Sequence, residues 1–250
     1  MHFHGLSLNG HNTTISELLS KSKKGDKISC KIRDLRFIGI FYEIESRGTD
    51  IFPPLLSQGL SMSKVHQALH YMDYMVPNTQ VLFRMFHIRN VLRRYVEKNI
   101  LKAVVKEDRA SMGMGVHPCW SLNELARVII HVIKPPIVVQ PMLENFREFR
   151  LVILGDTIVA KEKIKKGGIF WNTRIFGGIT KFITPSRQIV EFGKEMMNIG
   201  KFPWAYIDLF VTDDGIFLSQ INLSGSNAGL KDYNLNSLKR EMIERWLAAK

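Results

Sequence analysis

Two spacings of apolar residues alternate along the chain. Arg150–Leu154 and Thr157–Lys163 are apolar and β-branched on either side of Gly155-Asp156, the pattern of a tight antiparallel hairpin. Trp204–Val211 and Gly215–Asn222 repeat it across Thr212-Asp213-Asp214. Gln80–Phe83, Ala103–Lys106 and Pro136–Met142 predict three further short strands, and the apolar run Leu35–Ile44 a buried one. Between them the spacing lengthens to that of helices. One runs from a Ser61 or Ser63 cap through Val65, Leu69, Met72 and on to Met75. Others cover Ile88–Lys98, Leu122–Ile133, Pro185 to Met197, and an amphipathic tail at Leu238–Leu247. The elements together predict an α+β fold. Residues 1–60 read as a small leading lobe, with Pro53-Pro54 as a break.

At 250 residues the chain can bury a substantial core, as one large domain or two to three lobes. Its formal net charge of +12, from 35 Lys and Arg against 23 Asp and Glu, sets up a field that attracts anions, ATP among them. No aromatic–basic stacking motif accompanies that charge, so nucleic acid is not the expected partner. Cys30 and Cys119 form no metal-like or redox-like pair, which fits a reducing cytoplasm. No signal-peptide pattern opens the chain, and no apolar stretch approaches the ~20 residues that span a bilayer. No membrane partner is expected.

The residues that carry chemistry lie in the last two thirds. Lys106 ends a short strand and precedes Ser111–Val116, which contains Gly113 and Gly115. A strand-end lysine is a compact cation for a phosphate oxygen, and the glycines let a loop turn its backbone N–H groups toward phosphate. The Gly-Lys-Ser/Thr ending of a P-loop is absent, as is the dinucleotide fingerprint. Taken alone, this segment is better accounted for by a glycine turn beside an exposed lysine. Asp208 lies on a strand next to the one bearing Gln220 and Asn222. Residues two apart share a face, so a carboxylate and two amide oxygens can converge on a hard cation, magnesium or alternatively manganese. Taken singly, each residue is better accounted for by strand-end hydrogen bonds. Arg150, Lys161, Lys163, Lys165, Lys166 and Arg174 add cations that could neutralise a triphosphate, or form a solvated basic face. The extended segment Val138–Leu143, with Gln140, Met142 and Leu143, could offer backbone groups to an adenine edge, and Glu144 a carboxylate to ribose hydroxyls.

In combination these segments resemble the ATP-grasp superfamily, closest in pattern to the RimK-like carboxylate–amine ligases, over roughly residues 61–230. The resemblance implies an ATP-grasp fold: two α/β subdomains, 61–145 and 146–250, clamping a nucleotide, with 1–60 as a short N-terminal lobe. It implies an enzyme that uses ATP and magnesium to phosphorylate a carboxylate and then lets an amine attack the acyl phosphate. A peptide or protein is among the candidate substrates, and oligomerisation is left open. By position, Lys106 resembles the family's phosphate lysine, and Ser111, Gly113 and Gly115 its glycine loop. Gln140, Met142 and Leu143 resemble the adenine hinge, followed by Glu144. Arg150 matches the arginine of Asp-Ile-Arg, and Asn172 with Gly177-Gly178 the Asn…Gly-Gly segment. Asp208 matches the first metal carboxylate and Asn222 the asparagine of Glu-x-Asn. Lys161 or Lys163 takes the place of a following arginine; Arg174 and Arg47 are expected to contact the carboxylate substrate.

Gln220 departs from the pattern, because the family has there a glutamate bridging two magnesium ions. A neutral amide supplies one oxygen and no charge, so a second ion should bind less tightly. That residue motivates an alternative: a catalytically weakened ATP-grasp protein that binds nucleotide as a scaffold or sensor.

Overall fold

The computed structural model describes residues 6–110, 113–164, 178–226, 230 and 233–249. The leading lobe has its own sheet, ordered β2-β1-β3-β4, built from β1 (Ser7–Leu8), β2 (His11–Asn12), β3 (Lys27–Ser29) and β4 (Asp50–Phe52). Helices α1 (Ile15–Lys21) and α2 (Ile38–Ser46) bury Leu18, Phe41 and Ile44 in the core of this lobe. The run Leu35–Ile44 is therefore helical and not the strand its composition suggests. A short apolar run fits either state, and local signals decide. Asp34 accepts a hydrogen bond from the Arg36 N–H at 2.9 Å, opening a helical turn, and Gly48 follows α2 at φ +86°. Phe41 and Ile44, three apart, then face one core.

Helices α3 (Leu55–Met62) and α4 (Lys64–His70) lead onward. Ser63 caps α4, its hydroxyl accepting from the His66 N–H at 3.0 Å. The buried face of α4 is Val65, Gln67 and Ala68, continued by Tyr71, whereas Leu69 and Met72 are exposed. The expected stripe is rotated because two hydrogen-bonding residues claim the interior. Gln67 bonds the end of a strand described below, and the Tyr71 hydroxyl donates to the Met196 carbonyl at 2.9 Å.

A second sheet, ordered β5-β8-β6-β7, comprises β5 (Gln80–Leu82), β6 (Ala103–Glu107), β7 (Val116–Cys119) and β8 (Ile137–Pro141). Helices α5 (Ile88–Glu97) and α6 (Leu122–His131) cover one face, joining Ala103, Val105 and Val139 in a common core. Alternation puts Val104, Lys106, Val138 and Gln140 on the other.

The third sheet is ordered β11-β10-β9-β12-β13. It contains both expected hairpins, β9 (Arg147–Leu154) with β10 (Thr157–Ile164) and β12 (Trp204–Thr212) with β13 (Gly215–Asn222), and an edge strand β11 (Ile179–Ile183). Helix α7 (Arg187–Ile199) lies so close to one face that a Cβ at Gly193 would come within 2.5 Å of Leu151 Cδ2 and 3.4 Å of Ile207 Cδ1. Leu151 and Ile207 thus point to α7. Arg150 and Asp208, one position along each strand, point to the opposite side. Helix α8 (Leu235–Ala248) ends against the leading lobe, where Trp246 stacks on Phe52 at 5.1 Å between centroids and its carbonyl accepts from Lys27 Nζ at 2.8 Å. Among the described residues no helix is long and apolar enough to cross a membrane.

Candidate active site

Residues directly opposed on paired strands share a face, and the third sheet uses this to line up charge. Arg150 opposes Lys161 on one side and Asp208 on the other, and Asp208 in turn opposes Gln220. The row Lys161, Arg150, Asp208, Gln220 crosses four strands. A second row follows: Lys163 opposes Glu148, and Glu148 opposes Phe210.

Arg150 holds Asp208 with a two-pronged contact, Nε donating to Oδ1 at 2.8 Å and Nη2 to Oδ2 at 2.7 Å. Lys163 reaches the same carboxylate at 2.9 Å and Glu148 at 2.5 Å. Burial by itself would raise the pKa of Asp208. The charges of Arg150 and Lys163 overcome that and hold it well below the usual carboxylate range. Reciprocally, Asp208 stabilises the charged guanidinium of Arg150. Of the two candidate lysines, Lys163 is therefore the one at Asp208. Lys161 is buried with its ammonium 4.7 Å from the Phe182 ring centroid.

Lys106 faces this array from the second sheet. Its Nζ lies 5.5 Å from the ring centroid of Phe210 and within electrostatic reach of Glu148, Asp208, Lys163 and Lys64. Burial pulls its pKa down to about 8, against the opposing pull of Glu148 and Asp208. Lys106 thus approaches, from the second sheet, the face of the third that carries Asp208 and Phe210.

The hairpin that follows Lys106 is built on two glycines with different duties. Gly113 adopts φ +82°, and Gly115 packs so tightly that a Cβ there would sit 2.2 Å from that of Ala110. The hairpin base is tied to α4. Asp108 Oδ1 accepts from Ser63 Oγ (2.8 Å) and the Val65 N–H (3.2 Å), and Lys64 Nζ donates to the carbonyls of Glu107 and Ala110. Ser111 lies outside the described residues, as do Lys165, Lys166, Asn172, Arg174 and Gly177. In the segment expected as an adenine hinge, Gln140 is buried and the Met142 N–H donates to the Lys102 carbonyl at 3.0 Å. Glu144 is exposed at the rim, paired with Lys102 at 2.7 Å.

At the end of β13, with the Asn222 amide turned so that both its atoms find partners, its oxygen accepts from Gln220 Nε2 at 2.7 Å and its nitrogen donates to the Ser61 carbonyl at 2.9 Å. Gln67 fixes this end and was not anticipated. Fully within the core, its Oε1 accepts from the Ile221 N–H (3.0 Å), and its Nε2 donates to the carbonyls of Ile221 (2.9 Å) and Leu60 (2.6 Å). The only signal in the sequence is an amide among the apolar neighbours of a helix. One carboxylate with two amides fits a single hard cation that completes its shell with phosphate oxygens and water. Among the described residues no group of three or more His, Cys, Asp or Glu could hold a metal by itself.

Beside Gln220 and Asn222 opens a cavity of about 360 Å³ lined by Arg33, Ser61, Lys64, Arg109 and Ser224. An adjoining one of about 270 Å³ shares Arg33, Ser61 and Ser224 and adds Lys31. Arg47 is not among the lining residues; it is engaged inside the leading lobe by Glu43 and the Leu19 carbonyl.

A family model described as RimK-like ATP-grasp domain matches residues 63–246. D-alanyl-alanine synthetase A from Vibrio cholerae O1 biovar eltor str. N16961 superposes with a TM-score of 0.61 at 15% identity, over 84% of this chain and 73% of that one. The RimK domain protein ATP-grasp from Sphaerobacter thermophilus DSM 20745 gives 0.59 at 14% identity, over 86% and 78%. ATP-grasp ligase PsnB, complexed with minimal precursor, Mg and ADP, gives 0.57 at 15%, over 83% and 67%. At these identities the likeness shows a shared fold. No curated protein matches the chain in sequence.

Proposed function

The chain belongs to the RimK-like ATP-grasp family, and from that membership we infer that it is an ATP-dependent carboxylate–amine ligase. The observation that carries the reading is the approach of Lys106, on the second sheet, to the Arg150–Asp208 pair on the third. Lys106, Arg150 and Lys163 bring fixed positive charge to the place where phosphoryl oxygens would gather negative charge. Preorganised charge of this kind is the main source of rate in phosphoryl transfer. Magnesium, held by Asp208 and Asn222 together with phosphate oxygens, would neutralise more of it. Gln140 to Glu144 form the wall against which adenosine would lie.

In the reaction, an oxygen of the substrate carboxylate attacks the terminal phosphorus of ATP, and the bond to the ADP oxygen breaks. An amine then attacks the acyl carbon, phosphate departs with the carbon–oxygen bond pair, and the amine proton passes to solvent, leaving an amide. The two adjoining cavities are lined by Lys31, Arg33, Lys64 and Arg109 against the single carboxylate of Asp34. This supports an anionic carboxylate substrate such as a peptide or protein segment.

Calorimetric titration of the full chain with magnesium and a non-hydrolysable ATP analogue tests the nucleotide half, with binding expected in the native chain and lost in Lys106→Ala. ADP release that requires both a carboxylate and an amine tests the ligase half. Nucleotide binding without such a product across a broad panel would favour the second reading, a sensor or scaffold, which Gln220 supports.

A further inference from the structure

Gln220 is opposed to Asp208 across β12 and β13, the place from which a shared ligand would reach two ions. A carboxylate can bridge two cations because it has two anionic oxygens. A primary amide has one oxygen, and its nitrogen turns donor hydrogens outward. With the Asn222 amide turned so that both its atoms are satisfied, that nitrogen donates to the Asn222 oxygen at 2.7 Å, which leaves Gln220 one acceptor atom where the bridge would need two. The charge around it tells the same story. Both oxygens of Asp208 are engaged by cations, Arg150 and Lys163, and Lys163 is shared with Glu148 at 2.5 Å. Lys106 adds one more positive side chain, so three cations stand against the two carboxylates Asp208 and Glu148. A second divalent ion would enter a site that already carries an excess of fixed positive charge.

We propose that this chain takes up its nucleotide with one divalent cation, and that Lys163, fixed between Asp208 and Glu148, supplies the positive charge of a second. The inference rests on the nucleotide reading of the site and goes beyond it in assigning the ion count and the residue that limits it. The probe is manganese with a non-hydrolysable ATP analogue at saturation. Bound ion is counted from the loss of the free-ion electron paramagnetic resonance signal, and bound nucleotide is counted separately by equilibrium dialysis. The native chain should hold one manganese ion per nucleotide, with the spectrum of an isolated ion. Gln220→Glu, its fold checked by circular dichroism, should hold two, with the spectral splitting of a close ion pair. Two ions per nucleotide in the native chain would overturn the proposal whatever the variant does, and so would a folded Gln220→Glu that still holds one. Failure of the native chain to bind nucleotide at all would remove the underlying reading as well, and the dialysis count tells the two failures apart.

Discussion

The carboxylate of Asp208 lies in the fork of the Arg150 guanidinium, on directly opposed positions of β12 and β9, with Lys163 closing a third side. Each charge has lost water to reach this place, and the loss is offset only while its partners stay. Arg150→Met leaves Asp208 in the core against Lys163 alone and is expected to destabilise the fold by about 3–5 kcal/mol in urea unfolding. Adding Asp208→Leu removes the orphaned charge and should recover most of that. If the two single losses simply add in the double variant, the pair is not coupled in the way its geometry indicates. The pairing also means that nucleotide phosphates must compete with Asp208 for Arg150 and Lys163.

Lys106 titrates at about 8 because burial penalises its ammonium. Phosphate favours the charged form, so bound nucleotide raises that pKa and draws in a proton. Affinity for a magnesium–ATP analogue should therefore be greatest below pH 8 and fall above it, by up to about tenfold per pH unit. Calorimetry at pH 8.5 in two buffers of different ionisation enthalpy should register proton uptake. Lys106→Arg keeps the charge and should flatten the profile. A native profile already flat from pH 7 to 10 contradicts the assignment.

The two glycines of the Lys106 hairpin should fail for different reasons when replaced. Gly115→Ala drives a Cβ to 2.2 Å from that of Ala110 and 3.0 Å from that of Glu107, so the base of the hairpin must part. Overpacking of this kind costs about 1–3 kcal/mol. Gly113→Ala meets a left-handed backbone at φ +82° and loses about 1–2 kcal/mol. Ala110→Gly should rescue the first and leave the second unchanged, as read by thermal unfolding.

Both hairpins of the third sheet were legible because alternation and turn residues agree there. Glu148, Arg150 and Asp208 fall on one face while Leu151 and Ile207 fall on the other, under α7. The convergence of Lys106 on that face was legible only through the resemblance, since nothing local to Ala103–Lys106 says which sheet it will oppose. Composition misread Leu35–Ile44, where a capping aspartate outweighs β-branched content. On α4 the stripe was misjudged because Gln67 counts as polar in any hydropathy pattern, yet is more buried than Leu69. Partners distant in sequence decide such a residue: Ile221 lies 154 positions away.

Gln67 therefore offers the sharpest test of how the site is held. It stands in for a missing strand, pairing both backbone groups of Ile221 between the ligand candidates Gln220 and Asn222, and the carbonyl of Leu60 as well. Gln67→Leu preserves bulk but strips the Ile221 N–H of its partner and takes one donor from each of the carbonyls of Ile221 and Leu60. Orphaned groups of this kind cost roughly 1–3 kcal/mol each and do not add fully, so a total loss of about 3 kcal/mol is expected in urea unfolding. Affinity for the magnesium–nucleotide complex should fall with it, because the end of β13 loses the clamp that sets its side chains. Gln67→Glu should be worse than leucine, since it aims a carboxylate at two carbonyl oxygens that now receive an N–H. Should Gln67→Leu match the native chain in both stability and nucleotide affinity, the clamp plays no part in positioning the site.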